Sequence, residues 1–218
     1  MKPRLTPWRL AVHTAGLLPL AALLLDGLAR RLTANPIQAV EQRTGIYALS
    51  FLLASLACTP LASLTGWREP ARRRKALGLY GFLYAFLHVA TFLGLDYGLN
   101  LRAVWLDVGG KAYILLGAAA FLALLPLALT SFPYWMKHLG KNWKRLHRLV
   151  YLISPLGVTH FLLAVKGDIT QLRGDLAQPL LYAALALVLL LLRIPRVKQA
   201  LVRLRGGWAS GSSQSLGR

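Results

Sequence analysis

The sequence predicts an all-α protein, a polytopic membrane helix bundle of six transmembrane helices with both termini cytoplasmic. Three observations predict it. Six apolar stretches carry almost no charge, the basic residues alternate in density from one connection to the next, and the connections are short.

The stretches run near 10–25, 45–64, 77–95, 112–131, 146–165 and 179–192. Each holds about 15 to 20 residues, roughly what a helix needs to cross a hydrocarbon core of about 30 Å. The first follows Lys2, Arg4 and Arg9 as a secretory signal would. Five further spans succeed it and no small-residue cleavage site stands out, so it reads as a retained helix. Short loops favour antiparallel neighbours in one bundle, and no sequence repeat is visible.

A net charge of +19 would suggest a nucleic-acid partner in a soluble protein, so its placement decides its meaning. The amino terminus, the second loop, the fourth loop with Arg148 at the start of the next stretch, and the tail hold 19 of the 26 Lys and Arg residues against one acid, Glu69. Cytoplasmic loops are the Lys/Arg-rich ones, so both ends are expected inside. The basic balance then expresses topology and attraction to the lipid bilayer, with no nucleic acid. The expected location is the bacterial cell inner membrane, multi-pass.

The chain divides into a membrane domain over 1–205 and a Gly/Ser-rich segment over 206–218, expected to be a disordered cytoplasmic tail. Trp67, Trp105, Tyr134, Trp135 and Trp143 fall near the expected helix ends, as an interfacial aromatic belt does. Cys58 is the one cysteine, which excludes disulfides, cysteine-held iron–sulfur clusters and covalent haem attachment. No Gly-rich phosphate loop occurs, and only about 25 residues follow the sixth stretch, too few for a nucleotide-binding domain. All seven acids are expected in loops, which argues against a proton pump or ion-coupled carrier.

The histidines carry the functional signal. His13, His88, His147 and His160 lie within or at the edge of the spans, where ionisable side chains are costly and usually functional. Counting about 1.5 Å per residue from the inner helix ends puts His88 about 16 Å and His160 about 21 Å along their helices, at one level. His147 falls about 20 Å below His160, which suits either two stacked redox centres or one haem and an inner entry site. Neutral imidazole is a good iron ligand, and paired histidines from two helices suit b-type haem that carries electrons.

Some alternatives stay open at this point. Gly78, Gly81 and Ala85 recur on the face of His88, leaving room either for a flat macrocycle or for close helix packing. On an ideal helix His147 and His160 stand about 140° apart, and Pro155 between them is a candidate kink. His13, near the depth of His147, is a candidate opposing inner ligand, or else a hydrogen-bonding or quinone-contacting group. His138 lies in a basic loop and reads as solvated.

These residues resemble the MsrQ (YedZ) family, haem-binding membrane subunits of the periplasmic methionine sulfoxide reductase system in the ferric reductase-like transmembrane superfamily. The likeness covers roughly 8–205. It includes His13-Thr14-Ala15-Gly16-Leu17-Leu18-Pro19, Thr44-Gly45, Thr59-Pro60-Leu61-Ala62 and Leu77-Gly78-Leu79-Tyr80 leading to His88. It continues through Leu139-Gly140-Lys141, Trp143, Arg145-Leu146-His147 and Leu149-Val150-Tyr151 to His160.

The resemblance implies one haem b, with a second left open, held by His88, His147 and His160. It also implies FMN, for which no motif is present, electrons from the quinone pool, and a periplasmic molybdopterin-dependent methionine sulfoxide reductase as partner. The chain would then be an electron-transfer subunit rather than the catalytic one. The sequence departs from the wider superfamily in helix three, where two histidines stand about 14 apart; here those positions are Arg74 and Arg102. Two other functions compete: a stand-alone ferric or cupric reductase, and a cofactor-free transporter or structural membrane protein.

Overall fold

A computed structural model describes residues 6–165, 167–168, 173–197 and 199. The expected disordered tail and the domain boundary at 205 lie outside the described residues. Among those described, five helical segments are long and apolar enough to cross a membrane, and a sixth apolar helix is shorter. The all-α polytopic bundle is borne out.

Helix α1 (Pro7–Leu28) opens at Thr6, whose hydroxyl accepts from the Arg9 amide at 3.3 Å, with Pro7 at the first helical position. Helix α2 (Pro36–Thr65) uses the same device, Asn35 capping the Gln38 amide ahead of Pro36, and stops at Gly66 with φ +77°. Its 30 residues extend about 45 Å, so it begins well before the apolar stretch does. One expectation is corrected here. Glu41 lies inside α2 rather than in a loop, and Asp26 and Glu69 are likewise helical, because capping rather than hydropathy sets where a helix begins.

Helix α3 (Glu69–Thr91) widens into a π-helical turn, Phe92–Asp96. A short helix α4 (Leu101–Val108) then leads to α5 (Ala112–Leu129). The Tyr97 hydroxyl and the Lys111 ammonium both donate to Asp107, tying that connection together. Two short helices, α6 (Pro133–Leu139) and α7 (Lys141–Leu146), meet at Gly140, whose φ of +49° favours glycine. A 3₁₀ turn, His147–Leu149, joins α7 to α8 (Val150–Ala164). A two-residue ribbon pairs Gly167 with Gly174 and Asp168 with Arg173 before α9 (Ala177–Leu191).

Helix α2 is the centre of the bundle. Its Leu49, Leu53 and Leu56 pack with Val158 of α8 and Ala186 of α9, while its Leu52 joins Ala120, Leu124 and Leu127 of α5 and Ile153 of α8. Lipid offers helices no hydrophobic drive to associate, so close contact and internal hydrogen bonds hold such a bundle. Tyr84, fully buried, donates to the Gly16 carbonyl at 2.7 Å and joins α3 to α1. Ser50 and Tyr182 share a hydrogen bond of 2.6 Å between α2 and α9. Arg193, just past α9, donates to the Leu56 carbonyl at 2.6 Å and to the Tyr151 hydroxyl at 3.0 Å.

The small-residue stripe of α3 serves this packing. A Cβ on Gly81 would stand 2.9 Å from Leu52 of α2, and one on Gly78 would stand 3.4 Å from the Ser55 hydroxyl. Close helix approach is what Gly81 provides, while Gly78 also lines a cavity between α2, α3 and α5.

Candidate functional site

Three of the five histidines are held in one way. A carbonyl oxygen only accepts, so each Nδ1 bonded to one must carry the proton. His88 Nδ1 donates to the Glu41 carbonyl at 2.9 Å, His160 Nδ1 to the Tyr113 carbonyl at 2.7 Å, and His147 Nδ1 to the Trp143 carbonyl at 3.1 Å. Each Nε2 therefore keeps its lone pair, the arrangement found in metal-ligating histidines whose second nitrogen is anchored to a backbone acceptor.

Two of the three come together. The rings of His88 and His160 are 6.0 Å apart between centroids, with planes at 78°. A metal–imidazole bond of about 2 Å places two imidazoles on opposite sides of one metal with ring centres about 6 Å apart. The donor set and the spacing fit a single metal between them. The expected common level of the two side chains is what the structure shows.

The same constellation occurs twice around this pair. Glu41 of α2 lies 47 residues before His88, and Tyr113 of α5 lies 47 residues before His160. One helical turn after each acceptor stands a glycine under the imidazole. A Cβ on Gly45 would stand 3.3 Å from the His88 ring, and one on Gly117 only 2.8 Å from the His160 ring. Neither glycine nor either carbonyl stands out in the sequence as part of a site. The equal spacings were visible in the chain, but nothing in one dimension marks them as meaningful.

His147 is placed elsewhere. It opens the 3₁₀ turn, where each residue rotates about 120° rather than about 100°, so the ideal-helix angle between it and His160 does not apply. The break lies at 147–149, not at Pro155, which sits inside α8. The His147 ring stacks on Trp143 at 4.0 Å, giving that tryptophan a contact beyond the expected aromatic belt. Its Nε2 is buried and has no hydrogen-bond partner among the described residues. His147 lines a cavity of about 260 Å³ with Ser55, Arg74, Lys75, Phe82 and Trp143. Arg74, fourteen residues before His88, shares this cavity with His147.

His13 is not brought to His147. Its Nδ1 is 2.9 Å from the Tyr80 hydroxyl, and the two residues line a different cavity, between α1 and α3. His138 is exposed and stacks on Tyr134.

Comparison with known proteins shows which family the chain belongs to. The sequence profile of the ferric reductase like transmembrane component family matches residues 44–158, which takes in Gly45, His88, Gly117 and His147 but stops short of His160. A protein-methionine-sulfoxide reductase heme-binding subunit MsrQ from Rhodospirillum rubrum is 43% identical over 193 residues, covering 88% of this chain and 89% of its own. The chain belongs to the MsrQ family. MsrQ proteins with the same designation from Xanthomonas euvesicatoria (44% over 189 residues, 82% of each chain) and Brucella ovis (38% over 195 residues, 89% and 85%) agree. As expected, it is a multi-pass protein of the bacterial inner membrane.

Proposed function

We propose that this MsrQ chain is a b-haem electron-transfer subunit. It takes electrons from the quinone pool and passes them across the inner membrane to a periplasmic molybdopterin-dependent methionine sulfoxide reductase. The observation that supports this most is the pair of carbonyl-anchored imidazoles, His88 and His160, at the spacing of two ligands on one metal. The relatives' designations, which name a heme-binding subunit of a methionine sulfoxide reductase, support it independently.

In this reading His88 and His160 are the axial ligands. The haem supplies one-electron redox chemistry, and the protein supplies ligands, orientation and a low-dielectric setting. The Glu41 and Tyr113 carbonyls fix the tautomer that leaves Nε2 available, and they raise the basicity of each imidazole. With His88 and His160 both engaged in holding the haem, the site would favour electron transfer over oxygen binding. The His147 cavity, bearing Arg74 and Lys75, serves as the entry side, and the charge split places it towards the cytoplasm. The flavin implied by the family likeness has no motif in the chain and is assigned no residues here. The partner would use the delivered electrons to return a polar methionine sulfoxide to its apolar thioether.

An absorption spectrum of detergent-purified protein, oxidised and then reduced with dithionite, tests the reading. The expected result is a sharp α-band of low-spin b haem, extractable by acid acetone. A colourless preparation after haem-supplemented expression overturns it. Reporter fusions near Arg72 and Lys141 should report the inside and fusions near Trp105 the outside; the reverse pattern inverts the proposed direction of flow.

A further inference from the structure

The cavity between α1 and α3 takes no part in the His88–His160 pair and borders the His147 cavity, with which it shares Lys75 and Leu79. It measures about 470 Å³, and its walls combine Arg9, Arg72, Arg73 and Lys75 with the apolar Val12, Ala76, Leu79 and Leu83 and with His13 and Tyr80. Its cations exceed its anions. Glu69 pairs with Arg72 at 2.6 Å and with Arg73 at 3.2 Å, while among the described residues Arg9 and Lys75 have no acidic partner. Lys75 Nζ lies 5.7 Å from the Phe132 ring centre, and Arg73 donates to the Thr6 hydroxyl at 2.9 Å. Arg73 Nε is buried with no partner. Arg9 and Lys75 carry charge that no acid among the described residues offsets, which favours an anionic acceptor at the cavity.

Two further features say what kind of acceptor. All four cations stand in the first two turns of α1 and α3, the end of the bundle where the basic loops gather, and Trp8 packs edge-on against Trp67 at 4.9 Å. Amphipathic tryptophans of this kind mark headgroup depth. Helix α1 buries only Gly16 and Leu23 in the bundle, so this flank is open to lipid along its length. A ligand with a phosphate at headgroup depth and hydrocarbon beneath it matches this combination. The geometry points to a binding site for the headgroup of an anionic phospholipid, which bridges α1 to α3. Basic pockets between membrane helices hold such headgroups through charge-assisted hydrogen bonds. The lipid is part of what fastens α1 to the bundle, and this assignment does not depend on the haem reading.

The test uses purified full-length protein, delipidated in detergent and returned to vesicles. In phosphatidylglycerol vesicles the protein should show a clearly higher thermal midpoint than in phosphatidylcholine vesicles. Arg9→Gln combined with Arg73→Gln should lose most of that difference, while Lys137→Gln, outside the cavity, should keep it. Should the double variant fail to fold, photoactivatable phosphatidylglycerol on the unaltered protein decides, with cross-links expected in peptides 7–16 and 72–83. Equal stabilisation by both lipids, cross-links confined to other helices, or full protection by millimolar glycerol phosphate in place of lipid would each overturn the assignment, the last by showing a soluble phosphate site.

Discussion

The His88 half and the His160 half of the outer site are built alike and supported differently. Each has an acceptor carbonyl 47 residues upstream and a glycine beneath the ring. Glu41, however, lies more than a turn into the 30-residue α2 at the centre of the bundle, while Tyr113 is the second residue of α5. The Gly117 contact is also the closer of the two. One half thus hangs on the interior of the longest helix, and the other on a helix end held by a loop. Equal chemistry at two ligands does not mean equal tolerance.

The largest effect should come from removing either ligand. His88→Ala and His160→Ala are each expected to abolish or convert most of the low-spin reduced spectrum, because in the proposed reading both imidazoles serve one centre. If either variant keeps the spectrum unchanged, the pairing is wrong. His147→Ala should do something else, leaving much of that spectrum while blocking reduction by the physiological donor; rapid-mixing kinetics with quinol would show it. Loss of all haem in that variant alone would move the centre to the inner cavity.

The glycines sharpen the comparison further. Gly117→Ala forces a methyl to 2.8 Å from the His160 ring, and Gly45→Ala to 3.3 Å from His88. Overpacking of this kind costs about 1–3 kcal/mol. The expected outcome is several-fold lower haem retention in Gly117→Ala and a small change in Gly45→Ala, read from the pyridine haemochrome content per protein. Equal retention in both would remove the asymmetry.

The smallest effect should lie in the loop behind the His160 half. The Lys111 ammonium, and then the Tyr97 hydroxyl, hold the Asp107 carboxyl below its usual range. A depressed carboxylate contributes stability above its unfolded-state pKa and loses it as pH falls through the folded value. Acidification through and below the usual carboxylate range should therefore loosen the α4 connection, seen as increased quenching of Trp105, a change that Asp107→Asn should mimic at neutral pH.

Much of the bundle was legible from apolar stretches alone, because membrane crossing imposes length and composition together. The common level of His88 and His160 followed from simple counting, since α3 stays helical as far as His88 and α8 as far as His160. What escaped lay where local geometry overrides periodicity. Asn35-Pro36 was an available start signal that moves α2 nine residues earlier and brings Glu41 inside it. The 3₁₀ turn at His147 carries no comparable mark in sequence, so an ideal helix misplaced that ring. Gly78 and Gly81 showed that a small-residue face exists but not which neighbour it meets. Only the fold decided for Leu52 and Ser55 of α2.

Helix α9 has a consequence for the surrounding bilayer. Its 15 residues extend about 22 Å, well short of a hydrocarbon core of about 30 Å. Leu181, Leu185 and Val188 lie exposed along it, and Arg193 follows its end. Lipid meeting both ends of α9 must thin on that flank, at a modest cost for each ångström of mismatch. Two copies that place their α9 flanks together share one thinned rim instead of two, so longer acyl chains should draw this protein into clusters.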